Sequence, residues 1–131
     1  MTHPAGKLLG GFLLLYLAAN LLHFSHNAEY LSDYPNLPLW LTRAHVYLAW
    51  AGLAAVGVLG YALYRSGRHI SGLFLLGAYA LSGFGGLLHY ARAPLESHTV
   101  TMNLTIWFEV VAATILLIGV LATAAKLKAK P

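Results

Sequence analysis

Imidazole is the main chemically capable group in this chain. Seven histidines occur in 131 residues and there is no cysteine, which excludes disulfides and thiolate metal sites. Neutral imidazole is a ligand for zinc, copper, iron and nickel. His23 and His26 stand three residues apart and share a helix face. His45, His89 and His98 come from distant parts of the chain. A transition-metal site of zinc, copper or iron on His23, His26, His89 and His98 is the first reading. His45 joins it as a ligand or as a partner to one. Glu29 or Glu96 could add an oxygen ligand, and Met102 keeps copper(I) open. His3 and His69 read as interfacial residues. No His-Glu-x-x-His motif is present.

The same residues allow a second cofactor. His23 and His89, at similar depth on alternate helices, could serve as the axial pair of a b-type haem. Ser82-Gly83-Phe84-Gly85-Gly86 precedes His89 and could admit a flat macrocycle, although glycines of this kind more often serve close helix packing. Haem leaves His26, His45 and His98 without a role.

Glu109 is the other chemically capable residue. It follows His98 by eleven residues, about 16 Å along a straight helix, too far to share an ion with it. A carboxylate at that depth must be protonated or paired, and such groups mark proton relays or ion paths. Asn20 and Tyr16 lie at the right depth to be its partners.

These residues need elements to position them, and the composition says which. Apolar residues make up 59% of the chain and charged residues 9%, against about 25% charged in soluble domains. A sphere this small could not cover its apolar surface, so lipid is the expected solvent. Four apolar stretches reach the ~20 residues needed to cross a bilayer, at about 8–29, 38–64, 70–90 and 97–125. The first is too long for a signal peptide and lacks a cleavage site, so it reads as a retained helix. Short, proline-marked connections make successive helices antiparallel, with Pro38 suited to the first turn of the second helix. The expected fold is all-α: one domain over 1–131, an integral membrane four-helix bundle running up-down-up-down. Leu21-Leu22-His23-Phe24 and Leu87-Leu88-His89-Tyr90 echo each other, as a duplicated two-helix unit would.

The alternation carries five histidines to one end. Polar stripes at helical spacing should turn away from lipid: Tyr16, Asn20, His23, Asn27 and Tyr30 on the first span; Tyr79, Ser82, Gly86 and His89 on the third; His98, Met102, Thr105 and Glu109 on the fourth. Lys7, Arg65, Arg68, Lys126, Lys128 and Lys130 fall at the opposite end, against Arg43 and Arg92 at the histidine end. This bias predicts cytoplasmic termini, as in a bacterial inner membrane, with the histidines facing the periplasm. Arg43 and Arg92 could pair with Glu29, Asp33 or Glu96. Trp40, Trp50, Trp107, Tyr30, Tyr34, Tyr47 and Tyr90 read as an interfacial belt.

A formal charge of +4, small and dispersed, gives no reason to expect nucleic acid. No nucleotide loop or nucleophile–base pair is visible, and the glycine run follows no strand. The histidine blocks of membrane desaturases are absent. Three functions are open: a metalloenzyme or metal-handling factor with its site near the outer face, a haem b electron carrier, and an accessory subunit of a larger membrane complex. The bilayer is the expected partner, with a homo-oligomer or a larger assembly open; whether the chain is an enzyme is not decided by its residues.

Overall fold

The computed structural model describes residues 4–129, and these contain helices and no strands. His3 and Lys130 lie outside the described residues. Among the described residues, four helices are long and apolar enough to cross a membrane, and the chain is an integral membrane protein of all-α class. The first is α1 (Pro4–Glu29) and the second α2 (Arg43–Arg65). The third span is composite: α3 (His69–Ser82), a 3₁₀ stretch (Gly83–Leu87) and α4 (Leu88–Arg92). The fourth is α5 (Val100–Lys128).

The neighbours of the helical glycines give the direction of each span. Gly6 at the start of α1 lies beside Tyr64 and Arg65 at the end of α2. Gly72 near the start of α3 meets Gly60 and Tyr64 of α2. Gly83 and Gly86 lie against Ala113 and Ile106 of α5, and Gly119 of α5 faces Phe12 and Leu9 of α1. Every neighbouring pair runs antiparallel, as an up-down-up-down course requires. α1 packs on α2 and α5, and the third span packs on the same two, so α1 and the third span stand diagonally opposed. An apolar core of Leu9, Leu13, Leu73, Leu76, Leu116 and Val120 fills the end nearer the termini.

Two helix starts differ from the sequence reading. α2 begins at Arg43 rather than near Pro38, because Thr42 is its N-cap: the Thr42 hydroxyl accepts from the His45 N–H. α5 begins at Val100, capped by Thr99, whose hydroxyl accepts from the Met102 N–H at 3.2 Å. His98 therefore precedes the helix, on extended backbone after a 3₁₀ turn (Leu95–Ser97). Replacing an N-cap threonine by alanine costs ~1 kcal/mol, and Thr99→Ala is expected to lower stability by about that much in detergent unfolding.

The third span tightens where its glycines fall. In a 3₁₀ stretch, residues three apart line up on one side. Ala80, Gly83, Gly86 and His89 are all buried, in that three-residue register. Gly86 takes part because a Cβ there would meet His23 and Glu109 at 3.2 Å. The two echoed blocks thus differ locally: His23 sits within continuous α-helix, whereas His89 follows the 3₁₀ stretch.

Candidate functional site

The end of the bundle away from the termini contains a buried polar cluster built from all spans but α2. Its base is Glu109, 1% exposed, on the buried face of α5. The Asn20 amide donates to Glu109 Oε1 at 2.5 Å. The Tyr79 hydroxyl in turn donates to Asn20 Oδ1 at 3.2 Å. Asn20 is thus a Glu109 partner as expected. Tyr16 is not: its ring packs on Tyr79 at 4.4 Å and its hydroxyl meets Ser82 Oγ at 3.2 Å. Ser82 already donates to the Tyr79 carbonyl, so Tyr16 is the donor.

Above Glu109, three imidazoles follow in a row. His23 Nδ1 lies 3.1 Å from Glu109 Oε2, a close approach too poorly aligned to satisfy either atom as a hydrogen bond. The His23 ring is 5.5 Å from that of His89, and His89 is 6.1 Å from His98, centroid to centroid. All three are buried. Asn27 Nδ2 lies 3.3 Å from His89 Nε2, and His98 Nδ1 donates to the Pro94 carbonyl at 3.0 Å. His89 Nδ1, His98 Nε2 and Asn27 Oδ1 are left buried without partners. Turning the Asn27 amide over would let Oδ1 accept from His89 Nε2–H and leave the Nδ1 lone pair free; the two amide orientations are nearly isosteric.

The other two predicted histidines are placed differently. His26 is half-buried; its Nδ1 lies 2.9 Å from the Tyr34 hydroxyl, and its ring stacks on Tyr30 at 4.7 Å. His45 is exposed and completes the α2 cap, its Nδ1 accepting from the Thr42 N–H at 3.3 Å. His45 therefore stands apart from the row: the late start of α2 puts it in the first turn, where its imidazole occupies the place a Glu holds in the usual capping box. His69 sits at the opposite end beside Tyr64. Among the described residues, no three His, Asp or Glu side chains meet around one ligating point as arranged.

Sequence reasoning read Tyr34 as one of a belt, and the structure sets it apart. Trp40, Trp107 and Tyr30 are exposed, but Tyr34 is 3% exposed although it lies on a loop. Its ring packs 4.9 Å from that of His89. Burial pushes its phenol up to about 12, so it stays a neutral hydrogen-bonding group at ordinary pH. The one available signal was position: Tyr34 precedes Pro35, which holds it extended. Arg43 pairs with Glu29 at 2.8 Å, on exposed side chains, an arrangement that contributes ~0–1 kcal/mol. Arg92 meets the Asn36 carbonyl instead of a carboxylate.

The fold and site together define a class: a four-span membrane bundle with a buried Glu–His–His–His row at one end. No protein-family model, curated protein or solved structure matches the chain.

Proposed function

We propose that the chain binds a borderline divalent transition metal, zinc or copper(II), on His23, His89 and His98, with the site toward the periplasmic face of a bacterial inner membrane. The supporting observation is that each of the three adjacent buried imidazoles has one ring nitrogen facing an anchoring group: Glu109 for His23, Asn27 for His89 and Pro94 for His98. Metal-ligating histidines are held this way, by a carboxylate, amide or carbonyl on the nitrogen away from the ion. Two imidazoles on one tetrahedral ion place their centroids about 5 Å apart, given ~2.0 Å metal–nitrogen bonds. The two adjacent pairs stand at 5.5 and 6.1 Å, so holding one ion requires the row to close until His23 and His98 also reach that spacing. Three imidazoles leave a fourth position open, as in catalytic zinc sites; a metal-handling factor and a metalloenzyme both follow from such a site.

The positive ends of the spans support the sidedness. Lys7, Arg65, Arg68, Lys126 and Lys128 gather at the end opposite the row, the cytoplasmic signature. The haem reading is less favoured on packing: the His23 ring lies against Gly86, where a Cβ would stand 3.2 Å from it, the His23 and His89 rings are 5.5 Å apart, and a macrocycle would have to part them.

Cobalt(II) tests the proposal, because its visible absorption reports coordination geometry and zinc displaces it. The purified protein in mild detergent is expected to take up one cobalt per chain, with a tetrahedral spectrum. His23→Ala and His89→Ala are each expected to weaken binding by about a hundredfold or more, while His45→Ala leaves it unchanged. Full occupancy in both of the first two variants would sink the ligand assignment. Such losses lie at or beyond the 10–100-fold seen for removing an anchoring partner alone.

A further inference from the structure

The loop over the row has the form of a gate. It runs from Tyr30 to Thr42 and is pinned on either side of Tyr34. On the α1 side, the Tyr30 N–H donates to the His26 carbonyl at 3.0 Å. On the other, the Asn36 amide donates to the Arg92 carbonyl at 2.9 Å and the Arg92 guanidinium returns to the Asn36 carbonyl at 3.5 Å. Asn36 takes a left-handed φ of 57°, a conformation asparagine tolerates better than most residues. Between the pins lie a 3₁₀ turn (Leu31–Asp33), Tyr34 and Pro35. Ser32 and Asp33 are exposed, and Tyr34 is the only buried residue between them and Thr42. Its hydroxyl is held by His26 Nδ1 at 2.9 Å and by the Thr105 side chain, with its ring laid on His89.

On the far side of its partner His26 is an open-mouthed chamber of about 360 Å³ lined by His26, Tyr30, Asp33, Thr99, Thr101 and Met102. Six waters fill ~180 Å³, so it has room for a hydrated ion. The lining suits a cation more than an anion: a carboxylate, an imidazole, a thioether and three hydroxyls, with no Lys or Arg. The N-terminus of α5 forms part of the wall, but the Met102 N–H there is taken by the Thr99 hydroxyl, which blunts its pull on anions. Met102, 1% exposed, is both chamber wall and a neighbour of the buried row through Thr105, whose hydroxyl donates to its carbonyl.

We infer that Tyr34 is a gate between this chamber and the imidazole row, and that a hydrated divalent cation reaches the row through the chamber when Tyr34 swings aside. The gate stands on geometry alone; its cargo rests on the metal reading above. The movement needs no loss of the flanking pins, since only the short segment between them turns. Opening costs the His26 and Thr105 contacts and the ring packing on His89.

Two measurements on the full chain test it. The first uses diethylpyrocarbonate, which carbethoxylates accessible neutral imidazoles, with sites read by mass spectrometry. In the wild type His26 is expected to react well before His89. In Tyr34→Ala, His89 is expected to react about tenfold faster, as for ~1.4 kcal/mol removed from a local opening. Tyr34→Phe keeps the ring and loses the hydroxyl, so a smaller acceleration is expected; it also serves if the alanine variant folds poorly. The second follows cobalt(II) uptake by stopped flow. Faster uptake by both variants to an unchanged final spectrum supports the port. Labelling of His89 at the wild-type rate in both variants overturns the gate, whatever cobalt does. Cobalt absent from every protein, with faster labelling, overturns the cargo and the metal reading and leaves the gate standing.

Discussion

Gly72→Ala is expected to be among the most destabilising single changes in the protein, by about 2 kcal/mol or more. A Cβ at this position would stand 2.5 Å from the Tyr64 backbone nitrogen and 2.7 Å from the Gly60 carbonyl oxygen. Both are backbone atoms, so no side chain can rotate to make room, and α3 must move off α2. Small residues let membrane helices approach this closely, and the approach is lost with one methyl group. Gly52→Ala is the control: nothing lies within 4 Å of its added Cβ, and the helix gains up to ~1 kcal/mol from losing a glycine. Unfolding of the two variants in mixed micelles should therefore move in opposite directions. The displacement also has a chemical readout. His89 rides on the same span as Gly72, so cobalt affinity should fall in Gly72→Ala and hold in Gly52→Ala. Equal stability of the two variants would mean that this crossing does not set the spacing of α2 and the third span.

How far the site was legible follows from how each residue is placed. That His23, His89 and His98 lie together at one end was legible because their position depends on span order and length, which hydrophobic runs report directly. Glu109 and Asn20 were paired from depth alone, and α5 and α1 do bring them together. His45 was misplaced because the start of α2 turns on a local contest: Pro38 offers a helix start, but Thr42 with His45 three residues on makes a better cap. The threonine was visible, but histidine is an unusual third residue of a capping box. Tyr79 was assigned to the inward face of its span, but its bond to Asn20 depends on Gly57, over which its ring lies. No periodicity encodes that contact. Tyr34 was the largest omission. A tyrosine between two apolar spans normally anchors at the interface, and only the fold of the loop back across His89 turns it inward.

The second large effect separates the chemistry of Glu109 from its packing. Its Oε1 accepts from Asn20 and its Oε2 faces His23 Nδ1. Glu109→Gln keeps the shape and the acceptor toward Asn20, and places an amide N–H₂ where Oε2 stood. That group can donate to the His23 nitrogen, and no charge then has to be buried at mid-membrane, where an ion costs several kcal/mol. Thermal stability in detergent is therefore expected to be unchanged or higher. Cobalt binding is expected to weaken by about 10–100-fold, because a carboxylate behind a ligating imidazole raises its basicity and fixes its orientation, whereas an amide donor holds the wrong tautomer and supplies no charge. Glu109→Leu behaves differently. It strips the buried Asn20 amide of its acceptor, at about 1–3 kcal/mol, and removes the carboxylate that faces His23 Nδ1, so stability and cobalt binding should fall together. If glutamine destabilised the fold as much as leucine, the carboxylate would be a structural charge rather than an orienting one. If glutamine left cobalt affinity at the wild-type level, Glu109 would have no part in the site, and the row of imidazoles would have to be held by its other anchors, Asn27 and Pro94, alone.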